Sequence, residues 1–145
     1  MNENNELMMH VYKAADMGVS STKSVLENIR TKENKIKHVL ESELKEYEKF
    51  LNISKELLTN EDITPKGSSV FTKLSSDMGI MMNTMKDNSD ASIAAMLIEG
   101  MTMGITTMES KVKNYKSVCE KKILEIAEDF LEFQKEEVDK LKEFM

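Results

Sequence analysis

The sequence predicts an all-α protein, a four-helix bundle, on three observations. Only five glycines and one proline, Pro65, occur in 145 residues, too few for the turns of a β fold. Apolar residues recur at steps of three and four along most of the chain, which is the period of an amphipathic helix. Two parts of the chain also resemble each other at a fixed offset, which carries Met17 onto Met103. Such an internal repeat is typical of duplicated helical units.

The first hairpin is predicted over residues 7–58. It contains two amphipathic stripes separated by a polar turn at residues 31–34. A connection this short makes two helices antiparallel neighbours. The helical periodicity then stops before Pro65, because proline cannot continue a helix.

A crossover at residues 59–92 is predicted to be partly helical. Residues 69–86 carry a stripe rich in methionine, and a polar interruption at 87–90 leaves open whether this helix is separate from the next. Methionines at helical spacing fill irregular core gaps or form adaptable docking surfaces. The candidate interface residues are Met78, Met81, Met82 and Met85.

The second hairpin, residues 93–144, repeats the pattern of the first. Met-Gly-Val-Ser-Ser at 17–21 corresponds to Met-Gly-Ile-Thr-Thr at 103–107, and the same offset aligns the stripes of both helices. We therefore predict one domain over residues 1–145, in which two hairpins pack together and a long crossover joins them. A two-fold relation between the hairpins is expected to make the second and fourth helices parallel.

Small residues form a row on the first helix of each hairpin. A glycine inside a helix costs about 1 kcal/mol relative to alanine. Close approach of these two helices at the middle of the bundle would offset that cost. The residues predicted to form this helix–helix contact are Ala14, Gly18, Ser21, Gly100, Gly104 and Thr107.

With two hairpins, a long crossover and the repeated Met-Gly-[Val/Ile]-[Ser/Thr]-[Ser/Thr] motif, the chain resembles the ferritin-like superfamily. In particular it resembles small bacterial ferritin-like proteins of unassigned function. The resemblance implies a di-iron centre with a Glu on each of two helices and a Glu-x-x-His on each of the other two. The sequence contains no Glu-x-x-His, and both histidines, His10 and His38, lie in the first hairpin. Glu43 and Asp129 correspond in the two hairpins and are the best inward-facing acidic pair.

We therefore expect no intact di-iron site, no cofactor and no catalytic residue. The remaining candidates for metal binding are Glu43, Asp129, Glu99, His10 and His38. The predicted function is non-enzymatic and acts through a protein partner or self-association into an oligomer. The alternative is an iron- or manganese-binding oxidoreductase or storage protein with a non-standard carboxylate site. A third interpretation assigns the methionines to Cu(I) binding or to consumption of oxidants.

Composition limits the other partners. The net charge of −6 disfavours nucleic acid, which needs a basic face. Residues 89–108 are the least charged stretch, but Asp90 and Glu99 within it argue against a membrane span. Cys119 is the only cysteine, so no intrachain disulfide can form. Because the first residues carry no pattern of a signal peptide, we expect a cytoplasmic protein.

Overall fold

A computed structural model describes residues 1–66 and 87–145 of the chain. These residues form the helices α1 (Glu3–Asn28), α2 (Lys37–Asn60), α3 (Asp90–Tyr115) and α4 (Lys121–Lys142), and no strand occurs among them. The predicted all-α, four-helix architecture is therefore confirmed. The helix predicted over residues 69–86, with Met78, Met81, Met82 and Met85, lies outside the described residues, as does most of the crossover.

Side-chain caps fix the starts of α1 and α3. The Asn2 side chain accepts a hydrogen bond from the backbone N–H of Asn5 at 2.9 Å. The Ser89 hydroxyl accepts one from the backbone N–H of Ser92 at 3.3 Å. Such caps satisfy backbone donors that have no partner within the helix. The segment 87–89 is not helical, so α3 starts afresh at its cap.

Consecutive helices pack in pairs, α1 against α2 and α3 against α4. Gly18 of α1 lies beside the ring of Tyr47 of α2. Thr22, one turn later in α1, donates a hydrogen bond to Glu43, one turn earlier in α2. Since contacts advance along one helix as they retreat along the other, α1 and α2 run antiparallel, as the short turn between them requires.

The two pairs meet through α1, which packs against both α3 and α4, and through α2 and α4, which also run antiparallel. The rings of Tyr47 and Phe133 are 4.9 Å apart, and those of Phe50 and Phe130 are 5.2 Å apart. A later residue of α2 thus meets an earlier residue of α4. The expectation that α2 and α4 run parallel is therefore wrong. A two-fold axis that relates the two hairpins must lie perpendicular to the helices and not along them.

Helix α3 begins beside the turn between α1 and α2. The Asn34 side-chain amide donates to Asp90 Oδ1 at 2.9 Å, and the backbone N–H of Lys35 donates to Asp90 Oδ2 at 3.1 Å. Helix α2 has 24 residues, about 36 Å at 1.5 Å per residue, and ends at Asn60 at the other end of the bundle. The chain between Asn60 and Asp90 therefore joins opposite ends of the bundle.

The core is built around four aromatic rings, those of Tyr47, Phe50, Phe130 and Phe133, all buried. Burying each such side chain contributes roughly 1.5–3 kcal/mol. On α1 the fully buried face is carried by Val11, Ala15, Val19 and Thr22. The predicted row of small residues lies one position before these buried residues along α1, so it faces α3 and not the centre of the core.

Candidate functional site

Helices α1 and α3 line a cavity of about 530 Å³. All six small residues predicted to form a helix–helix contact lie around it: Ala14, Gly18, Ser21, Gly100, Gly104 and Thr107. They face one another across this space. The volume falls within the range of roughly 300–1,000 Å³ that is usual for sites that bind small molecules.

The three glycines of the cavity differ in their surroundings. A Cβ added at Gly100 would meet no atom within 4 Å, and one added at Gly104 would meet the side-chain nitrogen of Gln134 at 3.6 Å. A Cβ at Gly18 would overlap the ring of Tyr47. Gly18 is therefore required by an aromatic ring of α2, and the other two glycines keep space open beside α3.

The walls of the cavity are apolar. Methionines from both helices contribute, namely Met17, Met96, Met101, Met103 and Met108. Their unbranched, polarisable side chains adapt to irregular shapes. The Thr107 hydroxyl donates to the carbonyl of Met103 at 3.1 Å within its own helix. A threonine bonded in this way makes no polar demand on its surroundings, which keeps the wall apolar.

Four buried polar side chains also line the cavity, and we call them the polar floor: Thr22, Glu43, Tyr47 and Gln134. The exposed fraction is 2% for Glu43 and 4% for Gln134. The Thr22 hydroxyl donates to Glu43 Oε2 at 3.2 Å. Neither Glu43 Oε1 nor the Gln134 side-chain oxygen has a hydrogen-bond partner among the described residues. Gln134 thus offers a free acceptor, whereas the unpartnered Glu43 oxygen accepts when the carboxyl is ionised and carries the proton when it is not.

Burial keeps the Glu43 carboxyl uncharged at neutral pH. Loss of hydration raises the pKa of Glu43 to about 8, and repulsion from Glu137 acts in the same direction, against the Thr22 hydrogen bond and the more distant charge of Lys140. Burial also raises the pKa of Glu137, although the Lys140 ammonium donates to its Oε1 at 3.1 Å and opposes the rise. Burial likewise raises the pKa of the Tyr47 hydroxyl. The polar floor therefore carries no charge at neutral pH.

The basic residues of the cavity are His10, Lys13 and Lys111. Burial lowers the pKa of His10, and the positive charges of Lys111 and Lys13 lower it further. The imidazole is consequently neutral at pH 7, and the two lysines supply the charge at this end of the cavity.

The predicted metal ligands do not come together. Glu43 is buried, whereas Asp129, Glu99 and His38 are exposed. His10 is half-buried and lies beside Tyr115, with ring centroids 6.2 Å apart. Within residues 1–66 and 87–145, no group of three or more His, Cys, Asp or Glu side chains could hold a metal ion. The acidic neighbour of Glu43 is Glu137, not Asp129.

Sequence reasoning identified Glu43 as facing inward but missed Thr22, Gln134 and the neighbouring Glu137, although a signal for the buried glutamates was present. Glu43 lies at helical spacing between Leu40 and Tyr47, and Glu137 lies likewise between Phe133 and Leu141. A charged residue in the middle of an apolar stripe is placed in the core by the same periodicity that places its neighbours there.

Helix α3 is unusual among the described helices. It is long and apolar enough to cross a membrane by length and composition, and 28% of its most apolar 18-residue window is buried. The core helix of a protein in water passes the same test, so composition alone is weak evidence for a span. The finding nevertheless differs from the expectation that Asp90 and Glu99 make this segment too polar.

Comparisons of the chain with protein-family models, curated proteins and solved structures gave no match in any of the three.

Proposed function

We propose that the chain is a non-enzymatic ferritin-like bundle of the bacterial cytoplasm that acts by protein–protein contact, and that the contact is with a second copy through α3. The ferritin-like assignment is supported by the position of α3, which starts at the opposite end of the bundle from the end of α2. A duplication is supported by Tyr47 and Phe133, which correspond under the sequence offset and contact each other as residues near a two-fold axis would.

The observation that carries the proposal is the exposed apolar surface of α3. Less than a third of its most apolar window is buried. The hydroxyls of Thr102, Thr106 and Thr107 donate to backbone carbonyls four residues earlier, at 2.7, 3.0 and 3.1 Å. These hydroxyls therefore have a hydrogen-bond partner within the helix and need no water. Such a surface can be dried by a partner without leaving a polar group unsatisfied.

A second copy fits this surface because a knob and a hole lie next to each other. Met103 is 70% exposed, and Gly100, one turn earlier, adjoins open space. A two-fold axis between two α3 helices would set Met103 of each copy over Gly100 of the other. Closed two-fold dimers are the most common homo-oligomers, and their interfaces are self-complementary in this way.

Met103→Glu is expected to abolish self-association without loss of helix. A carboxylate in place of the Met103 thioether would lose its hydration inside the interface. Sedimentation velocity over a concentration series should show a dimer for the wild type and a monomer for Met103→Glu. Val118→Glu is the matched control, because Val118 is also exposed but lies in the α3–α4 turn. A wild type that stays monomeric throughout, or a dimer unaffected by Met103→Glu, would contradict the proposal.

A second candidate function, iron or manganese binding at a non-standard carboxylate site, is favoured by one observation. Glu43 Oε1 and Glu137 Oε2 are both buried without a partner among the described residues. Two carboxylates are fewer ligands than these metals usually take from a protein cage.

We therefore expect elemental analysis of protein purified without chelator to find far less than one iron or manganese per chain. Addition of EDTA should leave the thermal midpoint unchanged, since no metal–ligand bond would be lost. Stoichiometric metal that disappears in Glu137→Gln would favour the second candidate over the first.

A further inference from the structure

We infer that the α1–α3 cavity is a binding site for an uncharged, mostly apolar small molecule that carries one hydroxyl donor. Met103 and Gly100 lie on the rim of this cavity and are shared with the proposed dimer surface, so the two proposals are separated by their readouts, sedimentation for the dimer and saturable ligand binding for the cavity. The inference stands on the unpartnered oxygens of the polar floor, the apolar walls and the glycine beside the open space.

The unpartnered oxygens of the polar floor indicate which chemical group the bound molecule presents to them. Glu43 Oε1 and the Gln134 oxygen both line the cavity, and both residues are more than nine-tenths buried. Neither oxygen receives a hydrogen bond from the described residues. A buried polar atom left without its partner costs about 1–3 kcal/mol. A hydroxyl group would remove that cost at both atoms, because it donates to the Gln134 oxygen and accepts from the protonated Glu43 Oε1.

The charges around the cavity indicate that the molecule is neutral. An ammonium head would approach the two cations of this cavity, Lys13 and Lys111. A carboxylate head at the polar floor would meet the Gln134 oxygen, and the polar floor itself contains no cationic residue, because Lys13 and Lys111 lie with His10 at the other end of the cavity. Loss of hydration by an ion is expensive where no opposite charge is present. A hydroxyl group can donate to the polar floor at neither cost.

Gly100 provides a second argument for an occupant of this space. A glycine in a helix costs about 1 kcal/mol relative to alanine, and at Gly100 no packing contact within the described chain explains it, because an added Cβ would touch nothing. The methionines of the walls supply a surface that adapts to an apolar body. Space maintained at the expense of stability is typical of binding sites.

The test uses two probes that differ in the donor alone, n-octanol and octyl methyl ether. Titration of the folded protein, followed through the methionine methyl signals by NMR, should show saturable binding of octanol at Met96, Met101 and Met108. The ether should bind about tenfold more weakly, the equivalent of one hydrogen bond. Absence of saturable binding, or an ether that binds as tightly as the alcohol, would overturn the inference.

Variants distinguish binding in the cavity from binding elsewhere on the surface. Gly100→Leu should fill the cavity and abolish octanol binding, whereas Ala95→Leu, at an exposed position of the same helix, should leave it intact. Gln134→Leu should make the alcohol and the ether bind equally, and Gln134→Met offers the same test should Gln134→Leu fail to fold. Octanol binding that survives Gly100→Leu, or a preference for octylamine, would contradict the assignment.

Discussion

The free energy of unfolding is expected to fall by several kcal/mol between about pH 5 and pH 8, and Glu43→Gln is expected to remove most of that fall. Burial raises the pKa of Glu43 from 4.5 to about 8 on folding. Between these values the folded chain holds a proton that the unfolded chain has released. Stability is therefore complete below about pH 4.5, decreases by up to about 1.4 kcal/mol per pH unit as the pH rises, and levels off above about pH 8.

The groups around Glu43 strengthen or weaken this pH dependence of stability. Glu137 on α4 contributes in the same sense, because burial also raises its pKa. Lys140 and the Thr22 hydroxyl oppose the rise in the pKa of Glu43. Glutamine has the shape of a protonated glutamate and cannot ionise, so Glu43→Gln should be more stable than the wild type at pH 8 by roughly 2–5 kcal/mol.

Urea unfolding followed by circular dichroism at several pH values measures this effect directly. Glu41→Gln is the matched control, because Glu41 is exposed two residues earlier on the same helix. It should retain the pH dependence of the wild type. A variant Glu43→Gln with the same slope as the wild type would show that Glu43 is charged in the folded protein.

Alanine at Gly18 and alanine at Gly100 are expected to change stability in opposite directions. The new Cβ at position 18 would overlap the ring of Tyr47, which cannot move because Phe130 and Phe133 pack against it. Overpacking of this kind costs about 1–3 kcal/mol, more than the gain in helix propensity. At Gly100 the Cβ meets nothing, so the propensity gain of about 1 kcal/mol should appear as increased stability.

Thermal and urea unfolding of both variants provide the comparison. The double variant Gly18→Ala/Tyr47→Leu should be less destabilised than the sum of its single changes, since the smaller side chain removes the overlap. Equal effects of alanine at the two glycines would contradict this account, because both would then have the same surroundings.

The four helices could be predicted because their apolar residues recur with helical spacing. The stripe on α4 from Ile123 to Leu141 shows this clearly, since its buried residues are nearly those that the periodicity selects. The same pattern gives no measure of the distance between two helices. A row of small residues such as Gly100 and Gly104 is compatible with close contact and equally with a cavity, and only the three-dimensional structure distinguishes them.

The candidate site was harder to predict because the sequence does not fix how the two hairpins are oriented. The repeat pairs Glu43 with Asp129, but α2 and α4 run antiparallel, so the acidic residue beside Glu43 is Glu137. Gln134 joins the site from the same turn of α4. Only the relative orientation of the hairpins brings Glu43, Glu137 and Gln134 together, and the helical pattern of the sequence does not contain it.

The central claim is that an apolar cavity between α1 and α3 ends in an uncharged carboxyl group. Direct titration of the Glu43 side chain by carbon-13 NMR, with Glu43→Gln used to assign the signal, tests it most closely. The account predicts a midpoint of about 8. A midpoint near the ordinary value of 4.5 would show a solvated carboxylate at this position and would contradict the account.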